Sequence, residues 1–411
     1  MTNDTPAVPD AAPGSVPEPT TASGPVINAT PAGAADGVNR CSRCGATEVQ
    51  WLPEKGTYRC EFCRFEWSGE RLDEAMGLSE GIDKLEGTVL SSASVDIADD
   101  SALVTMKCQG CGAEVVIDTN HNLQARCHWC KHVLSINNVI PNGAVPDGIL
   151  PFLVTKEQAM HSIQSFYDQR KRFASPAFAA SFKPENIMGV YMPYMTVDGN
   201  VSVRLDGEGE IQTRIVRSDK SATYYADRFQ VMRQVGLLID DLIVETSSDK
   251  ANIQSVTSTT NIINAVLPFD VKNIVRFNAN YLGSEFTSER RDMDVSHADD
   301  YAYNHMMTIA RGAVLPSIAK YNRGVKWDAE QVAVKGTRWT AVLLPVWLYG
   351  YVEKKNGREI THYIAVNGRT GATMGSVPIN TKKAALVCWA TAIGISIFTW
   401  PLAIAVLWFG S

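Results

Sequence analysis

The sequence predicts an α+β protein in three parts: tandem zinc ribbons, then a mixed α+β domain with antiparallel strands, then one C-terminal transmembrane helix. Three observations carry that prediction. Cysteine pairs recur twice at one fixed spacing near the N-terminus, apolar runs broken by Asp-Gly and Asn-Gly turns fill the middle, and no charged residue occurs from Ala384 to Ser411. At roughly 100–200 residues per domain, the chain has room for two or three folded units.

Residues 1–39 are built from Pro, Ala, Thr, Gly and Ser, with almost no large apolar side chain to offset the entropy of ordering, and are expected to be a disordered tail. The tail has no basic segment leading into an apolar run, so no secretory signal is expected.

The cysteines follow. Cys41, Cys44, Cys60 and Cys63 form one CxxC…CxxC set, and Cys108, Cys111, Cys127 and Cys130 repeat it at an offset of 67 residues. Two residues between thiolates let a short turn aim both sulfurs at one ion, and two such turns complete a tetrahedron. Gly45 and Gly112 follow the first pair of each set and permit the tight turn. The spacing therefore predicts zinc ribbons at 40–68 and 105–140, separated by a linker at 69–104, with two structural zinc ions as the cofactors. A closed four-thiolate shell leaves no position for water, so these centres are not expected to hydrolyse anything. Disulfides, a redox pair or an iron-sulfur cluster are the alternatives.

Arg43, Arg59, Arg64, Lys107, Arg126 and Lys131 flank the ligands and are expected to soften their charge. Residues 41–140 hold nine Lys or Arg against fifteen Asp or Glu, so nucleic acid is a disfavoured partner. His121, His128 and His132 are expected as surface groups or as groups just outside the metal shell.

The α+β domain is placed at 150–380. Arg71 to Met76 in the linker predicts a short helix. Thr155 and Gln158 have the pattern of a capping box opening a helix that packs through Ala159, Ile163, Phe166 and Phe173. Strands are predicted from Ile187 to Val197, after a turn at Asp198-Gly199-Asn200, and after another at Asp206-Gly207. Phe229 to Val244 extends the sheet. A second helix starts near Ser296 with Ala302, Met306, Ile309 and Ala313 on its packing face. A final meander runs from Trp339 through the Asn356-Gly357 and Asn367-Gly368 turns. Leu150-Pro151-Phe152 recurs as Leu267-Pro268-Phe269, which leaves a duplicated domain as one option.

The apolar run at 384–409 is long enough, at ~1.5 Å per residue, to cross a hydrocarbon core of ~30 Å. With Lys382 and Lys383 before it, it predicts a tail-anchored, single-pass cell-membrane protein, the bulk of the chain cytoplasmic and the C-terminus outward. Cys388 within it reads as a packing residue.

The CxxC pairs, LPF before a helix, YMPYMTVDG, VLPFDV, LLPVWLYGY and VNGRTGATMG together resemble the bacterial TFIIB-type zinc-ribbon membrane proteins over residues 105–410. That resemblance implies work beside phage-shock-type membrane-stress proteins. The first ribbon and the long tail are additions to the family pattern.

No phosphate loop, HExxH motif or GxSxG elbow is present, and no catalytic residue is assigned. Asp294, His297, Asp299, Asp300 and His305 read as a solvated helix start. The expected function is a non-enzymatic, membrane-tethered adapter or scaffold that docks membrane-associated proteins. A membrane-anchored nucleic-acid binder is the alternative, and self-association is left open.

Overall fold

A computed structural model describes residues 26–28, 41–91 apart from 47–48, 53–54 and 79–80, the short pieces 103–107, 114–118, 126–129 and 139–140, then 146–218, 221–246, 266–277, 281, 286–289, 291, 293–355 and 358–409. Its strands, in chain order, begin with β1 (Val26–Asn28), β2 (Val49–Leu52), β3 (Thr57–Cys60), β4 (Glu66–Trp67) and β5 (Gly87–Ser91). Next come β6 (Leu103–Lys107), β7 (Glu114–Asp118), β8 (Val139–Ile140), β9 (Gly148–Ile149), β10 (Met188–Ser218) and β11 (Ser221–Glu245). The last are β12 (Val275–Arg276), β13 (Phe286–Glu289), β14 (Val325–Lys355), β15 (Arg358–Asn367) and β16 (Thr373–Gly375). The α-helices are α1 (Leu72–Met76), α2 (Lys156–Asp168), α3 (Pro176–Ser181), α4 (Val295–Ile318) and α5 (Thr381–Phe409).

Among the described residues, β2, β3 and β4 form a small three-stranded sheet, and the other strands join one 13-stranded sheet. This corrects the predicted fold class. In the region of the second cysteine set the described strands belong to the large sheet: β6 and β7 pair antiparallel, and β7 pairs in turn with β13 through Val116 and Ser288. Cys108, Cys111 and Cys130 lie outside the described residues, as do Gly112, His121, His132 and the 1–39 tail apart from β1.

The spine of the large sheet is β10, which pairs antiparallel with β11 on one side and with β14 on the other. The predicted turns at Asp198-Gly199-Asn200 and Asp206-Gly207 are register shifts inside a continuous 31-residue strand. Bulges and turns draw on the same small and flexible residues, so the sequence signal is shared.

Where β10 and β14 run side by side near Tyr191 and Trp347, both faces are buried. Tyr191, Leu343 and Trp347 face a core shared with Phe152, Ile163 of α2 and Phe178 of α3. Val190, Met192, Leu344 and Val346 face a second core that includes Leu72, Trp129 and Phe269. Further along, α4 covers one face only, packing Ala302, Met306 and Ala310 against Val197, Val203 and Ile239. Ala302 and Met306 are buried as predicted, whereas Ile309 and Ala313 are exposed and the second half of the stripe falls on Ala310 and Val314.

The Thr155 capping box forms as predicted, with the Gln158 amide 3.4 Å from the threonine hydroxyl and the Thr155 amide 3.0 Å from the glutamine carbonyl oxygen. Phe173 belongs to a separate 3-10 turn beyond the end of α2.

Among the described residues no helix is long and apolar enough to cross a membrane. This overturns the predicted anchor and, with it, the cell-membrane location, the single-pass topology and the outward C-terminus. α5 runs from Thr381 to Phe409, its side chains are described through Ser396, and the described part carries Lys382, Lys383, Thr391 and Ser396 among its apolar residues. Leu386, Trp389 and Cys388 are exposed along it, so Cys388 does not pack in a core.

Candidate metal centre

The first cysteine set converges. Cys41 and Cys44 lie on the turn before β2, and Cys60 and Cys63 on the turn between β3 and β4. All four sulfurs fall within 4.8 Å of one another, with Cys41 and Cys63 3.5 Å apart and Cys44 and Cys60 3.6 Å apart. Thiolates bound to one tetrahedral zinc at ~2.3 Å stand ~3.8 Å apart, so the donor set fits that ion without rearrangement.

The two turns are built alike. The Gly45 amide donates to the Cys41 carbonyl at 2.8 Å, and the Arg64 amide donates to the Cys60 carbonyl at 2.9 Å. Both fourth residues are left-handed, Gly45 at φ 76° and Arg64 at φ 60°. The first is free for glycine, while the second imposes strain on an arginine. The Arg64 guanidinium is 2.9 Å from Glu61, and the Arg43 guanidinium lies over the Phe65 ring at 5.9 Å, so these flanking cations have partners within the ribbon.

Without a cation the thiols compete. Burial pushes the Cys41 thiol up, but the amides of Arg43 and Cys44 and the neighbouring sulfurs bring it down to about 7. The Ala46 amide pulls Cys44 down, yet burial and the three other thiols push it up to about 12. One group is thus poised to ionise at the expense of its neighbour. Four simultaneous thiolates need the charge of a metal.

The ribbon is docked on the large sheet. Tyr58 packs against Tyr281 with the rings tilted at 51° and their centres 4.6 Å apart, and it also meets Trp67 at 5.6 Å. Phe62, between two of the ligands, points the other way and is 80% exposed.

Of the second set, Cys127 is described and fully buried, packed with Trp129 in the second core. The backbone carbonyl of Trp129 sits where a side chain on Gly350 of β14 would go. Of the two placements expected for His128, at the surface or just outside the metal shell, burial removes the first: its Nδ1 is 3.4 Å from the Thr287 hydroxyl and its Nε2 is 3.9 Å from a Glu289 carboxylate oxygen. The sequence carried one signal for this, charged and polar residues within the strand Phe286–Glu289.

A second group was not foreseen. Asp198, Asp240 and Asp241 bring three carboxylates within 4.8 Å at the register shift of β10 and β11. Asp198 accepts from the Asp241 amide at 2.9 Å and from Arg338 at 2.6 Å, and Arg338 also donates to the Leu78 carbonyl. Burial, then the charges of Asp198, Asp240 and Asp73, push the Asp241 carboxyl up to about 7. Asp294 caps α4, where Ser296 and His297 hold its carboxyl down to about 2.

No family model matches the chain, and no solved structure does. The chain is 20% identical over 249 residues to a protein of Bacillus subtilis (strain 168) described as uncharacterized protein YdjG, an alignment covering 60% of this chain and 67% of that relative.

Proposed function

We propose that the chain is a protein-docking scaffold whose first ribbon is shaped by a structural zinc ion on Cys41, Cys44, Cys60 and Cys63. One observation carries the reading: the four thiols surround a single point while holding Phe62 out into solvent. A shell closed by four thiolates offers no open coordination position, so its product is a fixed surface and its partners are other proteins. The repeated spacing supports a second zinc on Cys108, Cys111, Cys127 and Cys130. The likeness to TFIIB-type zinc-ribbon proteins supports the same metal.

Metal analysis of the reduced, folded chain is expected to return two zinc ions, and Cys60→Ser to return one. A folded sample without zinc overturns the proposal. A photo-crosslinking residue at position 62 is expected to capture protein in cells, and exclusive capture of nucleic acid would favour the nucleic-acid reading instead.

A further inference from the structure

Among the described residues, none covers the far end of the long sheet. Pairing of β14 with β10 stops at Gly209 and Val325, while β10 and β11 continue together to Ser218 and Ser221. The last contacts from the body are the Arg323 guanidinium over the Tyr224 ring at 4.8 Å and the Asn322 side chain accepting from the Gln212 amide at 2.8 Å. Residues 212–218 and 221–226 therefore extend as a two-stranded arm.

Both faces of the arm are sticky. Cross-strand partners are Arg214 with Tyr225, Ile215 with Tyr224, and Val216 with Thr223. Because alternate residues point to opposite faces, each face carries an Arg, a Tyr and an aliphatic side chain. Tyr224 and Tyr225 are about half exposed, at 50% and 53%. An isolated two-stranded hairpin is marginal in water, and Tyr and Arg are the residues that anchor protein interfaces.

Charge identifies the occupant. Residues 212–226 hold three Lys or Arg against one Asp in a chain of net charge -6. The opposite sign collects at the other end of the same strand, where Asp198, Asp240 and Asp241 adjoin Asp73 and the segment holding Asp83 and Glu86, a charge offset in part by Arg71, Lys272 and Arg338. The turn holding Asp83 is tied to β10 by the Asn200 side chain at 2.8 Å, and Asp73 acts on Asp241 through its charge. From Asp198 to Arg214 is sixteen residues of continuous strand, about 50 Å at ~3.3 Å each, so an arm cannot reach its own acidic shoulder.

We propose that this arm is a self-association device: in a two-fold dimer, the arm of each copy lies along the acidic shoulder of the other. The two contacts are identical by symmetry and close the assembly. Each copy contributes its arm of about 15 residues together with the shoulder that receives the partner's arm, which approaches the roughly 20–30 residues a side of a standard interface.

Sedimentation of the full chain in a mild non-ionic detergent, which keeps the exposed side chains of α5 from associating, tests this. The wild type is expected to be dimeric at micromolar concentration. R214E/R217E and, separately, D240K/E86K are each expected to weaken the dimer by at least about tenfold with unchanged far-UV circular dichroism. An equimolar mixture of the two variants is expected to restore it, since both contacts in the mixed dimer are again between opposite charges. A chain lacking 213–226 should be monomeric. A monomeric wild type, variants that stay dimeric, a mixture that stays monomeric, or a monomer whose arm binds a labelled DNA duplex would each overturn the proposal.

Discussion

Between Val190 and Tyr194, successive side chains of β10 enter two different cores, whereas between Val201 and Leu205 only every second one is buried. The first region reads in sequence as an unbroken apolar run, YMPYM, and the second as an alternation, VSVRL. One strand thus follows two rules. Where helices and loops cover both faces the pattern is that of a sandwiched sheet, and where α4 covers one face the other stays polar. Cover, more than strand length, separates the stable part of this sheet from the part left free to act.

The sharpest test is a cavity on the doubly covered side. Leu344→Ala removes a fully buried side chain and is expected to cost ~2–5 kcal/mol, measured by urea unfolding. Met306→Ala in α4 is expected to cost ~2 kcal/mol and to speed amide exchange beyond Val201 while the strands around Tyr191 keep their protection. Equal acceleration in both regions would show one cooperative unit and break the comparison.

The third test lies at the boundary between the regions. Asp241 ionises near 7 when folded and near its ordinary 3.8 when unfolded, so the folded state holds an extra proton between those values. Stability should therefore fall as pH rises from about 4 to 7 and level off above it. Asp241→Asn, which suits the left-handed backbone at φ 57°, is expected to flatten that slope and to gain ~1 kcal/mol at pH 8, a figure discounted for solvent screening. An unchanged slope would place the titration elsewhere. Smallest of all, Leu238→Ser on the uncovered face of β11 is expected to change stability by less than ~0.5 kcal/mol.

The first metal centre was legible because both of its turns are local. Two residues between cysteines and a following glycine determine the geometry of the Cys41 turn without help from the rest of the fold. The Thr155 cap was legible for the same reason. Asp198 and Asp240 were not, since 42 residues separate them and only the register of β10 on β11 unites them. Asp198-Gly199 also reads equally well as a turn or a bulge, and the choice falls to β14 pairing along the other edge. The absorption of β6 and β7 into the large sheet depends on β13, a four-residue strand far away in sequence. On α4 the expected Ala302 and Met306 are buried, but the stripe keeps a four-residue step on to Ala310 and Val314 where the 3.6-residue repeat pointed to Ile309 and Ala313, so it slants across the helix as it follows the twisted sheet.

The turn after β15 sets a clock as well as a bend. Asn367 precedes Gly368, the dipeptide in which a backbone nitrogen most readily attacks the side-chain amide carbon and expels ammonia to close a cyclic imide, which water then opens to aspartate or isoaspartate. Here that nitrogen is committed to the Pro345 carbonyl at 2.9 Å, and the Asn367 side chain donates to the carbonyls of Val266 and Pro268 and accepts from the Arg369 and Thr370 amides. While these bonds hold, the chemistry is arrested. Once the turn opens it can proceed, and the carboxylate it leaves has no proton to offer Val266 or Pro268. A momentary opening would then be recorded as a permanent change of charge, so the age of a molecule would be written at the place where its two cores are stitched together.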